Sequence, residues 1–187
     1  MAAMKRAVLM LVLCLAACAA PAQEQARSPS AQPPLAREAA RIVPQQRFAT
    51  VDYLIVAKSE RLMVAYAGGQ PVKAWRGLQF GDQPQGHKQF EGDERTPEGR
   101  YVIEGRNPAS RYHLSLKVSY PNAADRAFAR SRGRSPGGDI FLHGQPNGLP
   151  FGRVPGDWTD GCIAFSNDEI EELWRIVPDG TVIEIRP

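Results

Sequence analysis

From Val51 onward the chain is broken into short apolar runs rather than long periodic ones. Val51-Asp52-Tyr53-Leu54-Ile55-Val56 and Arg61-Leu62-Met63-Val64-Ala65-Tyr66 are rich in β-branched and aromatic residues, with Lys58-Ser59-Glu60 between them and Gly68-Gly69 following as a turn. A third run, Val72 to Phe80, extends this meander. Thr96-Pro97-Glu98-Gly99 then punctuates the chain before Arg100-Tyr101-Val102-Ile103-Glu104, and Leu114, Leu116, Val118 and Tyr120 alternate across 112–120. Asp139 to Leu142 and Thr181 to Ile185 complete the strand-like set. Two segments follow a helical period instead. Residues 123–132 lack breakers and end near Gly133. In 166–177, Ser166 and Glu169 form a capping-box pattern, acidic residues load the first turns, and Ile170, Leu173, Trp174 and Val177 recur on one face. Pro178-Asp179-Gly180 stops that helix. These patterns predict a mainly β fold, a mixed sheet or sandwich with two short helices, over residues 48–187.

The first 47 residues are patterned differently. Lys5 and Arg6 precede an almost wholly apolar run from Ala7 to Ala17, too short for the ~20 residues of a spanning helix and suited to a signal peptide. Its end, Leu15-Ala16-Ala17-Cys18, resembles the lipobox of bacterial lipoproteins, in which the cysteine becomes the lipidated N-terminus. The reading adopted is a leader over 1–17, lipidation at Cys18, and a flexible tether over 18–47 rich in Pro, Gln, Ala, Ser and Arg. Within that tether, 36–43 has at most a weak helical turn or two. Cleavage after Ala20-Pro21-Ala22 is the alternative, and it would yield a secreted soluble form. The ~170 residues from Cys18 suffice for one domain with a real core. Of 23 basic residues, Lys5 and Arg6 leave with the leader; 21 then face 20 acidic ones, for a net charge of +1 instead of +3. That balance argues against nucleic acid as the main partner. A monomer is expected.

Cysteine usage changes the picture most. Cys14 leaves with the leader and Cys18 carries lipid, so Cys162 has no disulfide partner in an oxidising compartment. It lies in Thr159-Asp160-Gly161-Cys162-Ile163, after a strand-like run ending in His143-Gly144 and a loop rich in Pro and Gly over 145–156. A lone thiol with a histidine within reach is a candidate nucleophile with its base. Gly144 permits a turn that leaves the imidazole uncrowded. Taken alone, an isolated cysteine is more often inert, and it is the spaced histidine and glycines that favour the nucleophile. A zinc site from Cys162 and the three histidines lacks any close ligand pair, so no metal and no cofactor is expected. His87 and His113 have no motif around them and read as surface or structural residues. The Ile170 stripe reads as core packing.

His143-Gly144 followed by Thr159-x-Gly161-Cys162, with Thr96-Pro97-Glu98-Gly99-x-Tyr101 upstream, resembles the L,D-transpeptidase catalytic (YkuD-type) domain, a β-rich fold that remodels bacterial peptidoglycan. The resemblance covers roughly Asp52 to Arg186. Tyr120-Pro121-Asn122, Gly137-Gly138-Asp139-Ile140 and the 157–164 segment resemble its periplasmic Gram-negative branch, which includes an amidase releasing an outer-membrane lipoprotein from peptidoglycan. Many members carry His where this chain has Asp160, and Arg where it has Ala164; the missing Arg, associated with substrate handling, favours the narrower branch.

The resemblance implies that Cys162 attacks the carbonyl of the third stem residue, a diamino acid, releasing terminal D-alanine and leaving a thioester. An amine acceptor then gives transpeptidation, and water gives hydrolysis. His143 takes the thiol proton or holds a thiolate-imidazolium pair, oriented by a backbone carbonyl or by Asp160. Gly161, with Thr159 and Gly144, serves oxyanion stabilisation and positioning. Arg76, Trp158, Asp160 and Asn167 are candidate substrate contacts. The expected partners are peptidoglycan stems, possession of a lipid anchor implies membrane attachment, and the expected location is the periplasm, at the outer membrane, in cell wall biogenesis and cell shape. Amide release from peptidoglycan is the alternative activity, and a non-catalytic murein-binding lipoprotein is the alternative of another class.

Overall fold

The computed structural model describes residues 34–42, 50–149 and 151–187. The expected leader and the lipidation site Cys18 lie outside the described residues. The elements are α1 (Pro34–Ala39), β1 (Tyr53–Ala57), β2 (Leu62–Ala67), β3 (Gln70–Arg76), β4 (Gly99–Ser110), β5 (His113–Val118), α2 (Ala123–Ser131), β6 (Phe141–His143), β7 (Ile163–Ala164), α3 (Asn167–Ile176) and β8 (Val182–Arg186). The eight strands form one mixed sheet in the order β3-β2-β1-β8-β4-β5-β6-β7. β1 pairs antiparallel with β2 and parallel with β8, and β6 pairs parallel with β7.

The continuous apolar runs of β1 and β2 arise because both faces are covered. Leu54, Val56 and Met63 enter the main core beside Leu142, Ile163, Phe165 and the Ile170, Leu173 and Val177 face of α3. Ile55, Leu62, Val64 and Tyr66 enter a second cluster whose cover includes Leu35 of α1. That helix lies inside the stretch expected as tether. Leu35 is 3% exposed, the Ala36 N–H donates to Glu60 Oε2 at 3.1 Å, and Tyr66 donates to Glu38. Burying one leucine side chain is worth about 1.5–3 kcal/mol, which a flexible tether would forgo while leaving the outer face of β1 and β2 wet.

Two helices are capped as their sequences dictate. Ser166 and Glu169 form a reciprocal capping box on α3, and Asn122 and Asp125 do the same on α2. β4 runs further than expected. The run expected over Arg100–Glu104 continues, with register shifts between Ile103 and Gly105 and between Asn107 and Ser110, so the strand reaches Ser110. This extension carries the β4–β5 turn, Arg111-Tyr112, out to the cysteine.

After β3 the chain crosses between the two ends of the sheet. The Leu78 N–H donates to Arg61 O, Gln79 bridges Ala164 of β7, and Gly81 bridges Thr159. A Cβ on Gly81 would lie 2.0 Å from Glu94 O and 2.7 Å from Thr159 O. Only glycine lets these three segments converge behind the Thr159–Cys162 turn.

Candidate active site

β6 and β7 lie side by side in parallel, with Leu142 opposite Ile163 and His143 opposite Ala164. Leu142 and Ile163 are fully buried in the core. Side chains alternate along a strand, so His143 and Cys162 fall on the other face together. There they line a cavity of about 560 Å³ with Arg111, Tyr112, Asp139, Trp158, Thr159 and Asp160. The Phe141 N–H donates to Cys162 Sγ at 3.4 Å, and the thiol donates to Asp139 O at 3.5 Å. Cys162 is the free cysteine among the described residues and is half-buried.

His143 is 3% exposed. Its Nδ1 lies 2.7 Å from Gly144 O, and a carbonyl only accepts, so Nδ1 carries the hydrogen and Nε2 keeps a lone pair in the neutral ring. Tyr112 stacks on the imidazole at 4.7 Å and 29°, and Trp158 meets it edge-on at 5.5 Å. Burial pulls the His143 pKa below its ordinary value against the opposing pull of the Gly144 carbonyl. Burial pushes the thiol up to about 11; the Phe141 N–H opposes this, the Asp160 carboxylate adds to it, and Lys88 and Asp139 make smaller opposite contributions. Both directions favour a neutral thiol and a neutral imidazole at rest rather than an ion pair.

Hydrogen bonds fix the turn carrying the thiol. Thr159 Oγ1 donates to Cys162 O at 2.8 Å and accepts from the Gly161 N–H at 3.2 Å. Thr159 is thus a positioning residue, and the Gly161 N–H, expected to face an oxyanion, is already engaged. Gly161 sits at φ +122, where a Cβ would lie 2.4 Å from Arg95 O. Its lack of a side chain serves that contact with the chain before Thr96.

The loop between β6 and β7 is clamped at two places. Asp157 pairs with Arg61, 2.7 Å from Oδ1 to Nη1, and accepts from the Phe80 N–H at 2.9 Å. Gln145, 1% exposed, donates to Gln79 Oε1 and Phe165 O and accepts from the Val154 N–H. Neither glutamine stands out in the sequence, because a lone Gln has no spacing signature.

Other expectations need revision. Gly144 does not leave the imidazole uncrowded. It has no positive φ, and a Cβ there would lie 2.7 Å from Asn167 Oδ1 and 2.9 Å from His113 Cβ, so close packing demands the glycine. Asn167 does not line the cavity; its Oδ1 accepts from the Gln145 N–H at 2.9 Å and holds the turn after His143. Arg76 ends β3 opposite Leu62 and is also outside the cavity lining. Asp160 lines the cavity but does not orient His143, whose Nδ1 is taken by Gly144. Trp158 walls the cavity, with its buried Nε1 hydrogen unpartnered. His87 pairs with Asp125 at 3.2 Å and His113 with Glu171 at 2.8 Å, which separates both from Cys162 and leaves His143 as the histidine of the cavity. Tyr112 had no motif to announce it; the stacking depends on the β4–β5 hairpin reaching His143.

Comparison with known proteins agrees with this geometry. The family model described as the L,D-transpeptidase catalytic domain, YkuD, matches residues 51–185. The L,D-transpeptidase candidate YafK of Escherichia coli K12 is 28% identical over 148 residues, covering 74% of this chain and 52% of that protein. The helical cell shape determining protein Pgp2 of Campylobacter jejuni superposes with a TM-score of 0.58 at 27% identity, covering 73% of this chain and 48% of Pgp2. Bd1075 of Bdellovibrio bacteriovorus does so with a TM-score of 0.51 at 25% identity, covering 77% of this chain and 50% of Bd1075. The chain spans about half the length of the curated relatives it matches. From the sheet that sets His143 beside Cys162 to the family match across nearly all of that sheet, the observations agree: the chain belongs to the L,D-transpeptidase catalytic domain family.

Proposed function

We propose that the protein is a cysteine-dependent L,D-transpeptidase acting on peptidoglycan stem peptides through a thioester at Cys162. The observation carrying this reading is the shared face of β6 and β7, which gives a thiol and an imidazole with a free Nε2 one cavity. With both groups neutral at rest, His143 acts as general base during attack rather than storing a thiolate. Sγ bonds to the carbonyl carbon of the third stem residue as its proton passes to Nε2. When the intermediate collapses, the C–N bond breaks and His143 returns that proton to the departing amine of D-alanine. An acceptor amine then attacks the thioester, His143 takes the amine proton, and the thiolate leaves and is reprotonated. Tyr112 and Trp158 hold the ring and keep bulk water from it.

Water in place of the amine gives hydrolysis, and release of a lipoprotein or stem residue is the second reading. It is favoured by Ala164, fully buried in β7 where many family members carry a substrate-handling Arg. The apolar leader and Cys18 support a lipid-anchored placement in the periplasm, at the outer membrane, with a role in wall remodelling. The deciding experiment is product analysis after incubation with disaccharide-tetrapeptide and with lipoprotein-linked muropeptide. Crosslinked dimer with loss of D-alanine supports transpeptidation. Release of the lipoprotein residue without dimer supports the amidase, and no product from either substrate supports a murein-binding module.

A further inference from the structure

The cavity beside Cys162 is electrically divided. Its charged lining consists of Arg111, Asp139 and Asp160. Arg111 sits in the β4–β5 turn, next to Tyr112, whose ring stacks on His143, so the cation belongs to the imidazole side. Its guanidinium lies 6.0 Å from the Tyr112 centroid and makes no ion pair among the described residues. The two carboxylates belong to the thiol side. Asp139 O accepts from Cys162 Sγ, and Asp160 precedes Gly161-Cys162 in the turn. Asp139 keeps its side chain 85% exposed, and its ion-pair partner among the described residues is Lys117 at 3.9 Å. It also holds φ +54, the left-handed region a side chain rarely occupies, and such strain concentrates at functional positions.

Negative charge beside a thiol works against its ionisation, and among the described residues neither carboxylate has a tight partner. The pair is better matched by a cation brought in from outside. The reaction assigns the two sides of the cavity. The departing amine must lie near His143, which returns the proton, while the acyl residue stays on Cys162.

Building on the proposed function, we propose that the cavity orients its donor by charge, Arg111 holding the carboxylate of the departing residue and Asp139 with Asp160 holding the side-chain ammonium of the acyl residue.

The test compares kcat/KM of wild type, Arg111→Gln and an Asp139→Asn/Asp160→Asn double variant on three donors: a tetrapeptide with its distal ammonium and terminal carboxylate free, the same peptide amidated at the terminus, and the same peptide acetylated on the distal amine. Wild type is expected to lose about tenfold or more with each modification, the scale of one charge-assisted hydrogen bond. Arg111→Gln should be indifferent to amidation yet keep the acetylation penalty, and the double variant should show the reverse. All three substituted positions are exposed, so unfolding midpoints should stay near wild type. Equal penalties in wild type and both variants would overturn the charge assignment while leaving the transpeptidase reading standing. A wild type that consumes none of the donors would sink that reading, and the proposal with it.

Discussion

Replacing Gly161 with alanine should damage the protein more than the same substitution at Gly69 or Gly148, and the cost divides into two parts that are separable by experiment. Gly161 holds φ +122, and an added Cβ would meet Arg95 O at 2.4 Å, Arg95 C at 3.3 Å and Ile140 Cδ1 at 3.3 Å. The obstacle at 2.4 Å is backbone, so it cannot rotate away. Gly69, in the turn after β2, has φ +77 and nothing within 4 Å, and so carries the conformational cost without the clash. Gly148 has open space and no positive φ, and so carries neither. A side chain in the left-handed region costs about 1–2 kcal/mol, and overpacking against a fixed neighbour adds about 1–3 kcal/mol. Gly148→Ala should therefore be neutral or slightly stabilising, Gly69→Ala should lose about 1–2 kcal/mol, and Gly161→Ala about 2–5 kcal/mol. Urea unfolding of the three variants reads these values, and at about 2–4 °C per kcal/mol for a domain of this size the worst should melt roughly 5–15 °C below wild type. Because Thr159 binds both the Gly161 N–H and Cys162 O, the same shift should slow thiol alkylation by iodoacetamide. Gly161→Ala as stable as Gly69→Ala, with unchanged alkylation, would refute the packing of the turn against Arg95.

Two further outcomes follow from charge. His143 acts as base in its neutral form and burial lowers its pKa, so kcat/KM should rise with pH along a limb whose midpoint lies below 6.5, checked by a pH-rate profile. The same depressed value means that His143's contribution to stability is complete above its unfolded pKa and is lost as pH falls through the folded one, so unfolding midpoints should drop on that acid side. Lys58, with its side chain 3% exposed, donates to Gly86 O at 2.6 Å, Thr96 O at 3.3 Å and Glu98 at 2.7 Å; burial lowers its pKa despite Glu98. Lys58→Met should cost about 2–4 kcal/mol in urea unfolding, by stranding those acceptors, with the partial exposure of Glu98 holding the figure down.

The strands and both longer helices could be read from the chain because each rests on a local signal: β-branched runs with Gly turns for β1 and β2, a capping box and an apolar stripe for α3. The same holds for Cys162 and His143, since the fold family fixes their spacing and the parallel pairing of β6 with β7 aligns them. Local signals failed where distant chain decides. The apolar signal of β4 stops near Glu104, yet the strand continues through two register shifts to Ser110. The stretch around Leu35 looks like tether, but β1 and β2 present an apolar outer face that it covers. Asn167 is polar and adjacent to the motif, which suggests substrate contact, whereas its Oδ1 braces the Gly144 turn from the first turn of α3. Tyr112, which shapes His143 more directly than Arg76 or Asn167, stands in a turn with no pattern of its own.

The most direct measurement of the central claim is the intact mass of the purified domain after incubation with a carbapenem, for wild type and Cys162→Ala, with matched unfolding midpoints confirming that both are folded. The account predicts one covalent adduct on wild type and none on Cys162→Ala, with adduct formation slowed in His143→Ala. An adduct that persists on Cys162→Ala, or a wild type that stays unmodified while folded, would contradict Cys162 as the acylated nucleophile.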